Sequence, residues 1–278
     1  SIEGYLFRGD YNFADKYYIS GSFRTDGSSR FYSDVRWGNF WSLGGSWRIT
    51  QENFMKNISW IDDLKLKASF GEQGNDDIGS YYGWQSLFSI SGRNNGNYNG
   101  ALHSQLENKK LQWEKNANLN VGLDFSFLNR ITGTVEYFIR NSSNLLFSVP
   151  LPQSTGISSN WQNIGSMSNK GVEATIGVDI LKGNLLKWNL ELNATSYTNK
   201  ITKMPLGTDG KPQEIISGTK KLSEGHSIYD FWLREFAGVD PEDGSILFYK
   251  DIKDENDEVT GRETTKDQNA ASYYYVGS

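Results

Sequence analysis

The sequence predicts an all-β fold, an antiparallel transmembrane β-barrel, from three observations. Apolar residues recur with period two along eight segments, the signature of two-faced strands. Their opposite faces are rich in Gly, Ser, Asn and mixed charge (Arg8, Asp10, Arg48, Lys65, Asp124, Glu173, Lys187, Glu191), as a wet lumen requires. The connections alternate between short turns and long loops, the arrangement of a bacterial outer-membrane barrel. A secreted β-sandwich with an aromatic core uses the same alternation and stays open as the alternative.

The first strand, 5–13, sets Tyr5, Phe7, Tyr11 and Phe13 against Arg8, Asp10 and Asn12. After the tight turn Ala14-Asp15, Tyr17, Ile19 and Phe23 mark the apolar face of 17–24. Over 37–49, Trp37, Trp41, Leu43, Trp47 and Ile49 alternate with Gly38, Ser42, Gly44, Ser46 and Arg48. A connection of medium length, 50–62, leads to Leu64, Leu66, Ala68 and Phe70, which alternate with Lys65, Lys67, Ser69 and Gly71. The long loop 73–112 follows. Beyond it, Ala117, Leu119, Val121, Leu123, Phe125 and Phe127 share one face of 117–127. The turn at 128–130 opens 131–140, and a second long loop, 141–170, precedes 172–180. The tight turn Leu181-Lys182-Gly183-Asn184 leads into the strand 186–198, and a third long loop spans 200–228. Several of these strands suit a membrane, which a tilted strand crosses in about 9–11 residues. Aromatic residues gather where strands meet turns (Tyr11, Phe13, Tyr17 and Tyr18; Phe125 and Phe127; Trp188), the place of an interfacial girdle.

Composition excludes several classes. The 278 residues contain no Cys, so no disulfide framework, thiolate metal site or thiol nucleophile is available. With 9 Trp, 15 Tyr and 15 Phe the chain is not compositionally disordered. No apolar run approaches the roughly 18 residues of a transmembrane helix. A net charge of -5 argues against nucleic acid as a partner.

Five segments carry a family resemblance. Phe23-Arg24-Thr25-Asp26-Gly27-Ser28-Ser29-Arg30-Phe31 resembles a motif of SusC/RagA-type TonB-dependent outer-membrane transporters. So, in family order, do Ser69–Asn75, Trp113–Asn116, Asn163–Glu173 and Phe231–Asp240. The resemblance implies that residues 1–278 are a segment, about eight to ten strands, of a larger 22-stranded-type barrel lying in the outer membrane of a Gram-negative cell. On that reading the plug domain, the TonB box and the C-terminal strands are absent from this chain, and Tyr273-Tyr274-Tyr275-Val276 stops where another strand follows in the family. The implied function is import of oligosaccharides or oligopeptides, with a SusD-like surface lipoprotein as lid and TonB as the energy-coupling partner, without enzymatic chemistry or a cofactor. Two rivals remain: a complete small outer-membrane barrel with a structural or adhesive role, and a soluble carbohydrate-binding sandwich. A small barrel should have bulkier inward residues than the Gly, Ser and Asn found here.

The strongest binding element is the loop 76–103, where Tyr81, Tyr82 and Trp84 accompany Arg93, Asn94, Asn95, Asn97, Tyr98 and Asn99. Aromatic faces stack on sugar C–H surfaces, and amides donate to and accept from hydroxyls. The same rings equally serve to pack the loop on its neighbours. Trp161, Tyr229 and Trp232 are further, weaker candidates. Other motifs have plainer readings. Arg8-Gly9-Asp10 lies inside an alternating strand, and Asn57-Ile58-Ser59, Asn141-Ser142-Ser143 and Asn193-Ala194-Thr195 are chance glycosylation matches in a bacterial protein. The acidic stretch Asp251–Glu258 lacks the glycine of a calcium loop and reads as a solvated loop. Pro241-Glu242-Asp243-Gly244-Ser245 reads as a hairpin turn. His103 and His226 each stand alone in a loop, and no catalytic spacing or metal-ligand pair is present.

Overall fold

Eight long antiparallel strands form one sheet in the order of the sequence: β1 (Ile2–Phe13), β2 (Tyr17–Ser28), β3 (Trp37–Arg48), β4 (Ile61–Asn75), β5 (Glu114–Phe127), β6 (Ile131–Ser143), β7 (Ser166–Lys182) and β8 (Lys187–Lys203). The structure is a computed structural model and describes residues 1–277 apart from 91–93, 97, 152, 158, 208 and 209. Two units divide the chain, Ser1–Thr198 and Asn199–Ser278. The remaining described sheets have two or three strands, so no second broad sheet covers the first as a sandwich requires. The large sheet is open, with β1 and β8 as its edges, which also removes the closed eight-stranded barrel.

Cross-strand register explains the alternation. One row runs Tyr17, Trp47, Leu66, Leu123, Val135 and Ala174, and the next runs Ile19, Gly45, Ala68, Val121, Tyr137 and Val172. Large side chains in these rows stay uncovered, among them Leu66, Val121, Val135 and Val172. A patch of this extent is unsustainable in water and matched by lipid. Between these rows lie polar ones, such as Ser46, Lys67, Gly122, Glu136 and Glu173. Tyr18 belongs to this polar face, opposite Asn12 and Ser46, because the pleat turns it away from Tyr17. It is therefore not part of the aromatic girdle.

The strands run 12 to 17 residues and extend past the alternating segments, chiefly toward the long loops. There β4 continues to Asn75, β5 starts at Glu114 and β6 continues to Ser143. At this end the apolar–polar contrast fades while the hydrogen-bonded ladder continues.

At the opposite end the turns are tight. Ala14 and Asp15, and likewise Leu128 and Asn129, have positive φ, the backbone of a hairpin turn that matches strand twist. Side chains compensate for the missing glycines: Asn12 Oδ1 accepts from the Asp15 N–H at 3.1 Å, and Asp62 Oδ2 accepts from the Asn129 N–H at 2.5 Å. Between β3 and β4, Glu52 gathers the Tyr17 hydroxyl at 2.7 Å, Lys16 Nζ at 3.2 Å and Trp47 Nε1 at 3.2 Å. These donors, led by Tyr17, hold the Glu52 carboxyl below its ordinary range. Their stabilisation is complete above the ordinary glutamate pKa and fades as pH falls through the lowered one.

The second unit is built from short ladders. Phe236–Val239, Ile246–Lys253 and Val259–Thr265 form a three-stranded sheet, and Trp232–Arg234 pairs with Tyr273–Tyr275. The expected turn at 241–245 joins the first two strands: the Gly244 N–H donates to Asp240 O at 2.9 Å, with Gly244 at φ +73. The Ser245 N–H and then Lys266 pull the Asp243 carboxyl down to about 2. The acidic stretch is a turn in which Asp254 Oδ1 accepts from the Asn256 and Glu258 N–H groups, each at 2.9 Å.

Candidate functional site

The polar face of the sheet is a dense hydrogen-bonding surface. Lys67 Nζ lies 3.0 Å from Asp124 and 3.3 Å from Glu136, so one cation spans two strands. Gly122 makes this possible, since a Cβ there would sit 2.6 Å from Lys67 Cε. The Thr134 hydroxyl donates to Asp124 at 2.9 Å, Arg48 Nε to Asp63 at 2.7 Å, and Arg140 Nε to Asn118 at 2.9 Å. Asp10, Tyr18, Ser46, Lys67, Asn120 and Glu136 help to line a shallow hollow on this face. Such a surface exchanges hydrogen bonds with a hydrated solute. The described residues hold no cluster of three or more metal-ligating side chains. The Arg8-Gly9-Asp10 tripeptide is extended strand here, with the Arg8 and Asp10 side chains paired on one face, Nε to carboxylate at 2.9 Å.

Where the long loops leave the sheet, an apolar knot closes their bases. Phe31, Phe40, Ile78, Leu111 and Trp113 form a buried cluster, with Val35, Leu146 and Trp161 packed against it. The segment Phe23–Phe31 contributes Phe31 to this knot and polar clamps beside it. Arg24 Nε donates to both carboxylate oxygens of Asp26, at 2.8 and 2.6 Å. The fully buried Ser28 hydroxyl donates to Asp76 Oδ2 at 2.6 Å, and Arg30 Nη1 donates to Asp76 O at 3.1 Å and Oδ1 at 3.3 Å. Phe31 lies 5.6 Å from Trp113 between ring centroids, and Trp113 Nε1 donates to Arg36 O at 2.7 Å. Gly74 must be glycine, because any Cβ would collide with the Phe40 ring. Asn163 ties the next loop in: its Oδ1 accepts from the Gln112 N–H at 2.8 Å, and its Nδ2 donates to Gln112 O at 2.7 Å and to Asn144 O at 3.0 Å. The sequence segments that carry the family resemblance are thus largely the architecture of the loop bases.

The candidate binding residues separate into two groups. Tyr81, Tyr82 and Tyr98 are 66 %, 57 % and 80 % exposed, free to meet a ligand. Trp84 is half-buried and meets Tyr32 edge-on at 5.2 Å, and Trp161, also half-buried, packs against the apolar knot. Asn94 and Asn95 pair through their backbones with Asn99 and Tyr98 in a two-residue ladder. Arg93 and Asn97 lie outside the described residues. Gln105 is a residue the sequence reading missed: its Nε2 donates to Tyr82 O at 2.7 Å and Gln85 O at 2.8 Å, fixing the turn that presents Tyr82. No sequence spacing marks a glutamine for that task. His103 stacks on Phe88 at 4.2 Å, with Nε2 2.7 Å from the Ser86 hydroxyl. In the second unit, Trp232 meets Tyr275 edge-on at 4.9 Å and lies under Lys221 Nζ at 4.2 Å, a filled stack rather than an open site.

Residues 4–239 match the family model described as TonB dependent receptor-like, beta-barrel. The TonB-dependent receptor SusC of Bacteroides thetaiotaomicron is 34% identical over 263 residues, covering 92% of this chain and 26% of its own length. A TonB-dependent receptor of Formosa agariphila is 35% identical over 246 residues, covering 87% of this chain and 23% of its own. The chain therefore spans about a quarter of the length of these curated relatives. Among solved structures, the RagAB peptide transporter superposes with a TM-score of 0.86 at 29% identity, over 99% of this chain and 30% of that one. The same importer in its closed-closed state gives 0.85 at 28% identity, over 98% of this chain and 30% of that one.

Proposed function

The chain belongs to the TonB-dependent receptor-like β-barrel family, a family of the outer membrane, and from that premise we propose that it forms one wall of a transporter importing oligosaccharides or oligopeptides. The observation that carries this reading is the eight-stranded sheet with two solvents, a lipid-matched apolar face and a continuous hydrogen-bonding polar face. Residues 1–278 act as a segment of the barrel, and the plug domain, the TonB box and the closing strands are supplied by sequence outside this chain. TonB supplies energy through those parts, and a SusD-like surface lipoprotein covers the long loops. The solute descends along the polar face without chemical conversion.

Within this reading, Tyr81 and Tyr82 make first contact with the solute, because rigid, amphipathic rings order at low entropic cost. Tyr98 extends that surface, with Asn94 and Asn95 as further candidate contacts. Arg93 contributes a positive charge to the ligand contacts, while Trp84 and Trp161 hold the loop bases. The test is uptake by the intact receptor carrying Tyr81→Ala and Tyr82→Ala, scored against surface abundance, with maltoheptaose and a mixed oligopeptide pool as competing probes. Uptake or binding should weaken about tenfold at unchanged abundance, the loss of two modest ring contacts. Unchanged uptake of every probe the parent receptor accepts would place the contact surface elsewhere.

A further inference from the structure

Three consecutive residues after β2 grip the loop 76–112 at three separate points. Phe31 enters the apolar knot with Ile78 and Leu111, Tyr32 meets Trp84 edge-on, and Arg30 takes the charged end of the loop. Arg30 is 20% exposed at its side chain and lies between Asp76 at 3.3 Å and Asp77 at 3.4 Å. Its guanidinium carbon also sits 5.1 Å from the centroid of the Tyr81 ring, in cation–π range. Asp76 is in turn held by Ser28, so the guanidinium is anchored on one side and faces an exposed ring on the other.

We infer that Arg30 is a positioning residue for ligand capture: anchored by Asp76 and Asp77, it fixes the Tyr81 ring in its presenting orientation. This rests on the reading above that Tyr81 contacts the solute. The other two grips involve neither Tyr81 nor Arg30, so the knot and the Tyr32–Trp84 contact still hold the loop base when Arg30 is changed; Ser28 keeps its bond to Asp76 Oδ2, while Asp76 O and Oδ1 lose a donor. Arg30 thus acts on the ring and on the 76–86 segment that carries it, and not on the knot or the β2 ladder. Lysine preserves the charge but lacks the planar fork that meets Asp76 and the ring together.

The experiment is a double-mutant cycle in the intact receptor, pairing Arg30→Met with Tyr81→Ala, with binding measured per surface-exposed molecule using maltoheptaose and the oligopeptide pool. Arg30→Met alone should weaken binding about fivefold, the size of a cation–π and orientation contribution, and should add nothing in the Tyr81→Ala background. Arg30→Lys should fall between parent and Arg30→Met. Hydrogen exchange needs no ligand and reports the anchor directly: the 76–86 backbone should exchange faster in Arg30→Met and the β2 ladder should not. If Tyr81→Ala leaves binding unchanged, the contact reading fails. If Tyr81→Ala weakens binding while Arg30→Met does not, or the two effects simply add, the positioning role fails. Unaltered exchange over 76–86 in both Arg30 variants would overturn it as well.

Discussion

Phe31→Ala is expected to destabilise the loop bases by about 3–5 kcal/mol, the cost of deleting a fully buried aromatic side chain. Phe31 sits in the middle of the knot, so its loss opens a cavity beside Phe40, Ile78, Leu111 and Trp113 that the surrounding backbone cannot fill. The damage should be local. Proteolysis of the folded receptor should accelerate within 76–112, while the short-turn end keeps its protection. Phe54→Ala serves as the control, because Phe54 is exposed between β3 and β4 and its removal leaves no cavity. Equal sensitivity of the two variants would mean that the knot does not hold the loops.

A cation on the apolar face should be nearly as costly. Leu192→Arg places a charge among lipid chains at an exposed position of β8, an effect of about 2–4 kcal/mol near mid-bilayer. One residue on, Asn193 accepts from the Thr175 hydroxyl at 2.7 Å on the polar face, and Asn193→Arg loses little beyond that bond. Heat-modifiable assembly in the outer membrane should therefore drop for the first variant and persist for the second. Matching losses would reverse the facing of this strand.

The sheet was legible because lipid and water impose opposite demands on alternate residues, and Leu119 to Phe127 record that demand at every second position. Its ends were less legible. Between Gly71 and Asn75 the apolar–polar alternation of β4 ends while its pairing with β5 continues, and nothing in the residue types marks where pairing stops. The apolar knot draws on Phe31, Ile78 and Trp113 from three distant segments, and only the fold brings them together. The same holds for the loop. Tyr81 and Trp84 look alike in sequence, yet one faces solvent and the other packs on Tyr32, a difference set by a neighbour some fifty residues away. The second unit's short ladders follow no long alternation, although the turn at Asp243-Gly244 was readable from its residue types.

The assignment of the two faces to two solvents is tested most directly by accessibility along β5. This chain contains no cysteine, so single cysteines at Asn118, Leu119, Asn120 and Val121, in a receptor whose remaining sequence has been cleared of any cysteine, introduce unique reporters. In the intact receptor in its bilayer, a small water-soluble thiol reagent should label positions 118 and 120, and spin-labelled lipid should quench a fluorophore at 119 and 121. Labelling that ignores the alternation, or lipid contact at 118 and 120, would contradict the account.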